Sequence, residues 1–225
     1  MRDHIFRSVE LLIYVFDIES DEEGSDFAQY AEVLEALEQH SPDARVYVLV
    51  HKMDLVRDEV REEVFNERKE SIMELARGQL RVSCFATSIW DETLYRAWSH
   101  IVHSLVPNTT KLESHLNEFC KKSNADEVVL FESTTFLVIA TATCTPHSDA
   151  HRFEKISNIT KQFKLSCRKA HAQFEGMVLQ NSHITMIFSI LSKNTTIMVV
   201  ASHANVHEAA TSANIAQLRQ RMDLK

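Results

Sequence analysis

Two short polar segments each follow an apolar run. His51-Lys52-Met53-Asp54 comes after "RVYVLV" (45–50), and Thr87-Ser88-Ile89-Trp90 comes after "LRVSCFA" (80–86). A carboxylate in the first segment, Asp54, suits one task well. It can accept two hydrogen bonds from the N1–H and N2–H₂ groups of a guanine edge. Adenine offers no matching donor pair and would leave the carboxylate facing an acceptor, a mismatch that discriminates by orders of magnitude. The Lys52 stem can lie along a base plane, and a backbone N–H near Ser88 can donate to guanine O6. Taken alone, the tetrapeptide also reads as a polar strand-to-helix loop with Asp54 as a helix N-cap, a common place for Asp. The second segment, one strand later, favours the base-reading interpretation.

These segments need a frame, and the first half of the chain predicts one. "VELLIYVFDI" (9–18), "RVYVLV" and "LRVSCFA" are nearly continuous apolar runs, as expected of strands buried on both faces. Between and after them, Phe27, Tyr30, Leu34 and Leu37, then Val60, Val64, Ile72 and Leu75, then Leu94, Trp98, Ile101, Val102 and Leu105 recur at helical spacing. The second of these helices is expected to close near Gly78. Alternating strands and helices with short loops predict a parallel sheet covered by helices, and ligands bind such sheets beyond the carboxyl ends of the strands. Both polar segments lie there.

After Pro107 the order changes. Thr110-x-x-Glu113 predicts a capping box opening a helix at 110–123. Two strands follow (126–132 and 135–143), then a long helix (149–173) with Phe153, Ile156, Phe163, Cys167 and Ala170 on one face. Three strands (175–180, 184–192, 195–202) and a last helix from about 206 complete the chain. This pattern predicts a small α/β sandwich with an antiparallel sheet. Charge divides at the same place. Residues 1–107 carry 11 Lys+Arg and 22 Asp+Glu, whereas residues 108–225 carry 13 and 10. Two units, 1–107 and 108–225, are expected.

Other chemistries find little support. No basic stripe interleaved with aromatics points to nucleic acid. No window approaches the roughly 18 to 20 uncharged apolar residues of a membrane span, and the N-terminus lacks a signal-peptide pattern. Cys84, Cys120, Cys144 and Cys167 form no C-x-x-C pair and read as reduced core cysteines of an intracellular protein. Of His147, His151, His171, His183, His203 and His207, only the first two have i,i+4 spacing, and Pro146 places His147 in a loop, so no metal site is expected. No glycine-flanked serine elbow supports a hydrolytic triad, and no catalytic residue is assigned.

Taken together, "LVHKMDLV" (49–56) and "TSIWDETLYRAW" (87–98) resemble the Rag/Gtr family of small GTPases, in its Rag-A (Gtr1-like) branch. There the guanine-specificity motif reads H-K-M-D, with His51 in place of the usual Asn. The resemblance continues through "RDHIFRSVELLIYVFDIES" (2–20), "SPDARVYVLV" (41–50), "ADEVVLFE" (125–132) and "HRFEKISNITKQFKLSC" (151–167). It implies guanine contacts at His51, Lys52, Asp54, Ser88 and Ile89. It implies the C-terminal part of a Ras-like parallel-sheet G domain followed by a roadblock-type α/β domain. GTP or GDP with Mg²⁺ is the family's ligand and GTP hydrolysis its activity.

The family's phosphate loop, G-x-x-x-x-G-K-S/T, has no counterpart here. The glycines are Gly24, Gly78 and Gly176, and no Gly-Lys dipeptide occurs. Asp21-Glu22-Glu23-Gly24 matches the D-x-x-G pattern but reads as an acidic loop entering a helix. The resemblance therefore implies that the phosphate loop, both switches and the first three strands precede Met1, and that this chain alone holds no nucleotide tightly. It further implies a Rag-C (Gtr2-like) partner bound through residues 108–225, a Ragulator or EGO-type scaffold and signalling of amino-acid sufficiency to target-of-rapamycin complex 1. The expected location is the cytoplasm and, through the scaffold, the periphery of the vacuole or lysosome, with the nucleus a further compartment. A second reading stays open, a non-enzymatic adaptor that keeps the dimerisation domain and a remnant guanine loop.

Overall fold

A computed structural model describes residues 5–76, 80–149, 151–202 and 208–222. The chain divides into two compact units, residues 1–97 and 98–225. The division falls inside a helix, ten residues before Pro107, and Val102 in its second half and Val106 just beyond its end pack against the C-terminal core.

In the first unit, β1 (Leu11–Asp17), β2 (Arg45–His51) and β3 (Arg81–Thr87) form a parallel sheet in the order β1-β2-β3. The apolar runs explain this arrangement. Val46, Tyr47, Val48, Leu49 and Val50 in the central strand are all buried, so both faces of β2 are covered. Helices α1 (Glu23–His40) and α2 (Arg61–Leu75) make the two crossovers. Their Tyr30, Leu34, Leu37 and Ile72 join Phe16, Val46, Val48 and Val50 in one core. The register puts Asp17 beside His51 and His51 beside Thr87. The three strands therefore end together, and their following loops emerge side by side. Gly78 and its neighbours lie outside the described residues. Asp21 and Gly24 sit at the entry to α1, where Glu23 pairs with Arg68 at 2.7 Å.

Helix α3 (Thr93–Leu105) leads into the second unit. There β4 (Glu127–Glu132), β5 (Val138–Thr143), β6 (Gly176–Gln180), β7 (Thr185–Ser192) and β8 (Thr195–Ala201) form one antiparallel sheet in the order β5-β4-β8-β7-β6. Gly176 is needed where β6 meets β7, since a Cβ there would lie 2.8 Å from the Phe188 carbonyl oxygen. Helices α4 (Thr109–Lys122) and α6 (Glu208–Arg221) cover one face through Leu116, Phe119, Cys120, Ile215 and Leu218. Helix α5 (Arg152–Lys169) covers the other, setting Phe153 and Ile156 against Val129, Phe131 and Met198.

Three expectations need correction. Of the four cysteines read as core residues only Cys120 is buried, and Cys144, just past the end of β5, is exposed. Helix α4 does not start with a Thr110–Glu113 capping box. It begins one residue earlier, behind Asn108, whose backbone is left-handed (φ 58°) and whose side chain makes no cap bond. Asn tolerates that conformation because its short polar side chain can bond locally. Helix α5 is also shorter than periodicity predicts. His171 adopts φ 56°, and the Ala172 N–H turns back to the Cys167 carbonyl at 2.9 Å, which closes the helix in the manner of a Schellman turn. His203 and His207 lie outside the described residues.

Candidate functional site

Asp17, His51 and Thr87 end the three parallel strands in one row, and the two polar segments grow from that row. The chain leaves β2 through Lys52 in a left-handed conformation (φ 63°, ψ 31°) and enters a single 3₁₀ turn, Met53–Leu55. For a non-glycine residue this costs about 1 kcal/mol or more, so neighbouring contacts must hold it. Met53 is buried in the core below, and the Lys52 ammonium pairs with the Asp17 carboxylate at 2.5 Å. Lys52 thus points back to the end of β1 while Asp54 is carried forward.

Asp54 caps neither the 3₁₀ turn nor α2, since neither has a side-chain cap bond. Its Oδ1 instead accepts a hydrogen bond of 2.6 Å from the Ser88 hydroxyl. The second loop is shaped to deliver that hydroxyl. Ser88 is buried, its N–H donates to Thr93 Oγ1 at 2.9 Å, and its Oγ accepts from the Trp90 N–H at 3.0 Å. Thr93 is in turn fixed by the Asp91 carboxylate, which accepts from both its N–H (2.9 Å) and its hydroxyl. His51 Nδ1 lies 3.1 Å from Thr87 Oγ1, and that hydroxyl donates to the Val50 carbonyl at 3.3 Å. The two loops are therefore tied twice, at His51–Thr87 and at Asp54–Ser88. Ile89 and Trp90 beyond them are exposed.

Of the five residues singled out from the sequence, Asp54 and Ser88 touch each other. His51 is bound to the second loop through Thr87, Lys52 is turned onto Asp17, and Ile89 faces solvent. The Ser88 N–H is already engaged by Thr93. The Ile89 N–H makes no hydrogen bond among the described residues and is the free backbone donor at this point of the loop. The supporting residues Asp17, Thr87, Asp91 and Thr93 were not singled out from the sequence. Asp17 was findable, since aligning the carboxyl ends of two parallel strands places it beside His51.

The charge pair sets a pH response. The Lys52 ammonium holds the Asp17 carboxyl below the usual carboxylate range, helped by the Glu19 N–H at 3.0 Å. Asp17 reciprocally raises the Lys52 ammonium. A depressed carboxyl contributes stability above its unfolded pKa and loses it as pH falls through its folded value. The Lys52 tether is thus expected to loosen only in acid below the ordinary carboxylate range. In Lys52→Ala the Asp17 titration should move up toward that range, though not fully, because the Glu19 N–H remains. Carboxyl ¹³C NMR against pH reads this directly, and an unmoved Asp17 curve would mean that Lys52 does not govern it.

Residues 1–160 match the family described as Gtr1/RagA G protein conserved region. The chain is 52% identical to Ras-related GTP-binding protein B of Rattus norvegicus over 222 residues, which cover 99% of this chain and 59% of that protein. It is 40% identical to GTP-binding protein GTR1 of Saccharomyces cerevisiae over 234 residues, covering 97% of this chain and 74% of that protein. The chain therefore spans less than two thirds of the rat relative. Among solved structures, Myxococcus xanthus MglB aligns with 52% of this chain and 88% of its own, at a TM-score of 0.45 and 13% identity. With a family match over most of its length and this extent of identity, the chain belongs to the Gtr1/RagA family of GTP-binding proteins.

Proposed function

We propose that this chain provides the guanine-recognising loops and the pairing unit of a Rag-A/Gtr1-like subunit, which acts in a Rag heterodimer that signals amino-acid sufficiency to target-of-rapamycin complex 1. One observation carries the reading, a carboxylate fixed by the Ser88 hydroxyl beyond the carboxyl ends of a parallel sheet. Ser88 uses one lone pair of Asp54 Oδ1 and leaves capacity on both oxygens. These accept the N1–H and N2–H₂ of guanine. The Ile89 N–H is the donor suited to O6. The Lys52 stem, anchored at its tip by Asp17, supports the base, and His51 binds the two loops together through Thr87. Ser88 acts through Asp54 and through the shape of its own loop.

The phosphate end is different. No G-x-x-x-x-G-K-S/T loop occurs in these residues, and among the described residues no cluster of His, Cys, Asp or Glu is placed to hold a metal ion. GTP hydrolysis is therefore a property proposed for the family subunit, with no step assigned to side chains of this chain. The partner proposed is a Rag-C/Gtr2-like subunit, bound through residues 108–225 as a roadblock-type dimerisation domain. A Ragulator or EGO-type scaffold would hold the pair at the vacuolar or lysosomal surface. Among the described residues no helix is long and apolar enough to cross a membrane, and attachment through a scaffold needs none.

Pairing is supported by apolar side chains left facing water on α5. Ile159 is 59% exposed, Phe163 43% and Leu165 36%, on a helix whose Phe153 and Ile156 already serve the core. A helix apolar on two sides commonly serves a core and an interface together. Co-expression with a Rag-C/Gtr2-like partner, followed by size-exclusion chromatography with light scattering, should give a 1:1 heterodimer. The double substitution Phe163→Asp, Leu165→Asp should weaken it at least tenfold while the chain stays folded. A monomer indifferent to the partner would overturn the pairing role.

A further inference from the structure

Cys120 and Cys144 are 24 positions apart in the chain and adjacent in the fold. Cys120 lies in the last turn of α4, fully buried in the core between α4, α6 and the sheet. Its Sγ donates to the Ala125 carbonyl at 3.2 Å and lies 3.8 Å from the Ala142 carbonyl oxygen. Alternation along a strand puts Ala140, Ala142 and Cys144 on the same side, and Ala140 and Ala142 belong to the core that holds Cys120. Cys144 follows β5 directly, where its N–H donates to the Asp126 carbonyl at 2.8 Å and continues the ladder one residue past the strand. Cys144 thus follows the Ala142 whose carbonyl lies 3.8 Å from Cys120 Sγ and is bonded to Asp126, the residue after the Ala125 that accepts from Cys120, yet Cys144 itself is exposed. One buried thiol thus has a single solvent-facing thiol as its neighbour.

We propose that Cys144 and Cys120 form a peroxide-responsive thiol pair, in which Cys144 is oxidised first and Cys120 resolves it to an intramolecular disulfide. The order follows from access and ionisation. Burial, then the neighbouring Cys144 thiol, pushes the Cys120 thiol up to about 12, so Cys120 stays protonated and out of reach of solvent oxidants. The thiolate is the reactive form, and exposure decides which thiol meets the oxidant. In the first step the Cys144 thiolate attacks one oxygen of a hydroperoxide. The O–O bond breaks and the leaving hydroxide takes a proton to become water. Sulfur loses two electrons and becomes a sulfenic acid. In the second step Cys120 Sγ attacks Cys144 Sγ, the S–O bond breaks, and the departing hydroxide leaves as water with the Cys120 proton. Two thiols and one hydrogen peroxide give one disulfide and two waters.

The bond would join the end of α4 to β5, which is an edge strand of the five-stranded sheet. The other cysteines are placed for different fates. Cys84 belongs to the first unit, where burial pushes its thiol up to about 11. Cys167 lies on α5, on the opposite face of the sheet.

The test uses the 225-residue chain, treated with stoichiometric hydrogen peroxide, then unfolded and alkylated with iodoacetamide without reductant. Trypsin should release peptides 112–121 and 123–152 joined through Cys120 and Cys144, with two alkylatable thiols lost together. In Cys144→Ser, Cys120 should remain fully alkylatable after the same treatment. In Cys120→Ser, Cys144 should lack a resolving thiol and proceed to sulfinic acid, a gain of two oxygens. The proposal fails if the unmodified chain shows sulfinic acid at Cys144 with Cys120 still alkylatable. It fails equally if Cys144 pairs with Cys167 or with a second copy of the chain.

Discussion

Asp54→Asn is expected to lower GTP affinity about a hundredfold and to create binding of xanthosine triphosphate. These residues contain no phosphate loop, so the measurement uses them joined behind a phosphate-loop segment from a family member. Without such a segment the 225-residue chain should bind GTP no better than roughly millimolar, worth about 4 kcal/mol. The direction of the Asp54 effect follows from donors and acceptors. Guanine presents N1–H and N2–H₂, and both need acceptors. Asparagine keeps one acceptor and turns an amide NH₂ toward N2–H₂, leaving two donors opposed. Hydrogen bonds to a charged group are worth about 1.5–3 kcal/mol, and an unpaired buried polar group costs a similar amount. A loss of about 3 kcal/mol is roughly a hundredfold. Xanthine carries a C2 carbonyl where guanine carries the amine, so the same amide finds an acceptor. Ser88→Ala should cost less, about tenfold, because it removes the 2.6 Å bond that orients Asp54 and leaves the carboxylate in place. Isothermal calorimetry with both nucleotides separates these outcomes. Equal GTP affinity in Asp54→Asn, with no gain for xanthosine triphosphate, would leave Asp54 as a loop residue bound to Ser88 and nothing more.

The parts of this site that were legible from sequence are those that use chain-local patterns. Unbroken apolar runs located β1, β2 and β3, and a parallel sheet then put both polar segments at one end. The pairs that hold the site were not legible, because each joins residues brought together only by strand register. The stem of Lys52 is assigned to the base plane from sequence, but its ion pair with Asp17 shows only once strand register sets Asp17 beside His51. Nothing local to Thr93 marks its hydroxyl as the acceptor of the Ser88 N–H. The same limit explains the errors at helix ends. Thr110 and Glu113 have the right spacing for a capping box, but Asn108 in a left-handed conformation already turns the chain into α4. The apolar period of α5 runs past Lys169, but a left-handed His171 ends the helix first. Backbone reversals by non-glycine residues leave no periodic signal. Six described non-glycine residues have positive φ, and two of them, Lys52 and Asn108, set the start of a helical segment in one unit or the other.

Arg152→Met should be the most damaging single change outside the apolar cores, costing about 3–5 kcal/mol, the range seen when one partner of a buried ion pair is removed. Glu127 opens β4 with its side chain only 6% exposed, and Arg152 opens α5 at 17%. Their contact is two-pronged, Nε to Oε2 at 3.0 Å and Nη2 to Oε1 at 2.5 Å. The Thr143 hydroxyl adds a third donor to Glu127 at 3.1 Å, Arg152 Nη1 reaches the Asp149 carbonyl at 2.8 Å, and the guanidinium lies 4.2 Å from the Phe153 ring centre. Methionine matches the length of the stem but leaves the carboxylate with one hydroxyl. Glu127→Gln alone should cost less, because the arginine sits nearer the surface and can turn its charge to water. The double substitution Glu127→Gln, Arg152→Met should recover much of the loss, since no unpaired buried charge remains. Thermal unfolding should show a fall of roughly 10–15 °C for Arg152→Met, at several degrees per kcal/mol for a unit of this size. A functional consequence follows from position. The ion pair fixes the N-terminus of α5 to β4, and α5 carries Phe163 and Leu165 toward the proposed partner. Arg152→Met should therefore weaken heterodimer formation although Arg152 need not touch the partner, and the double substitution should restore pairing along with stability. If Arg152→Met costs less than about 1 kcal/mol, the pair behaves as an ordinary surface salt bridge and α5 is held by its apolar contacts alone.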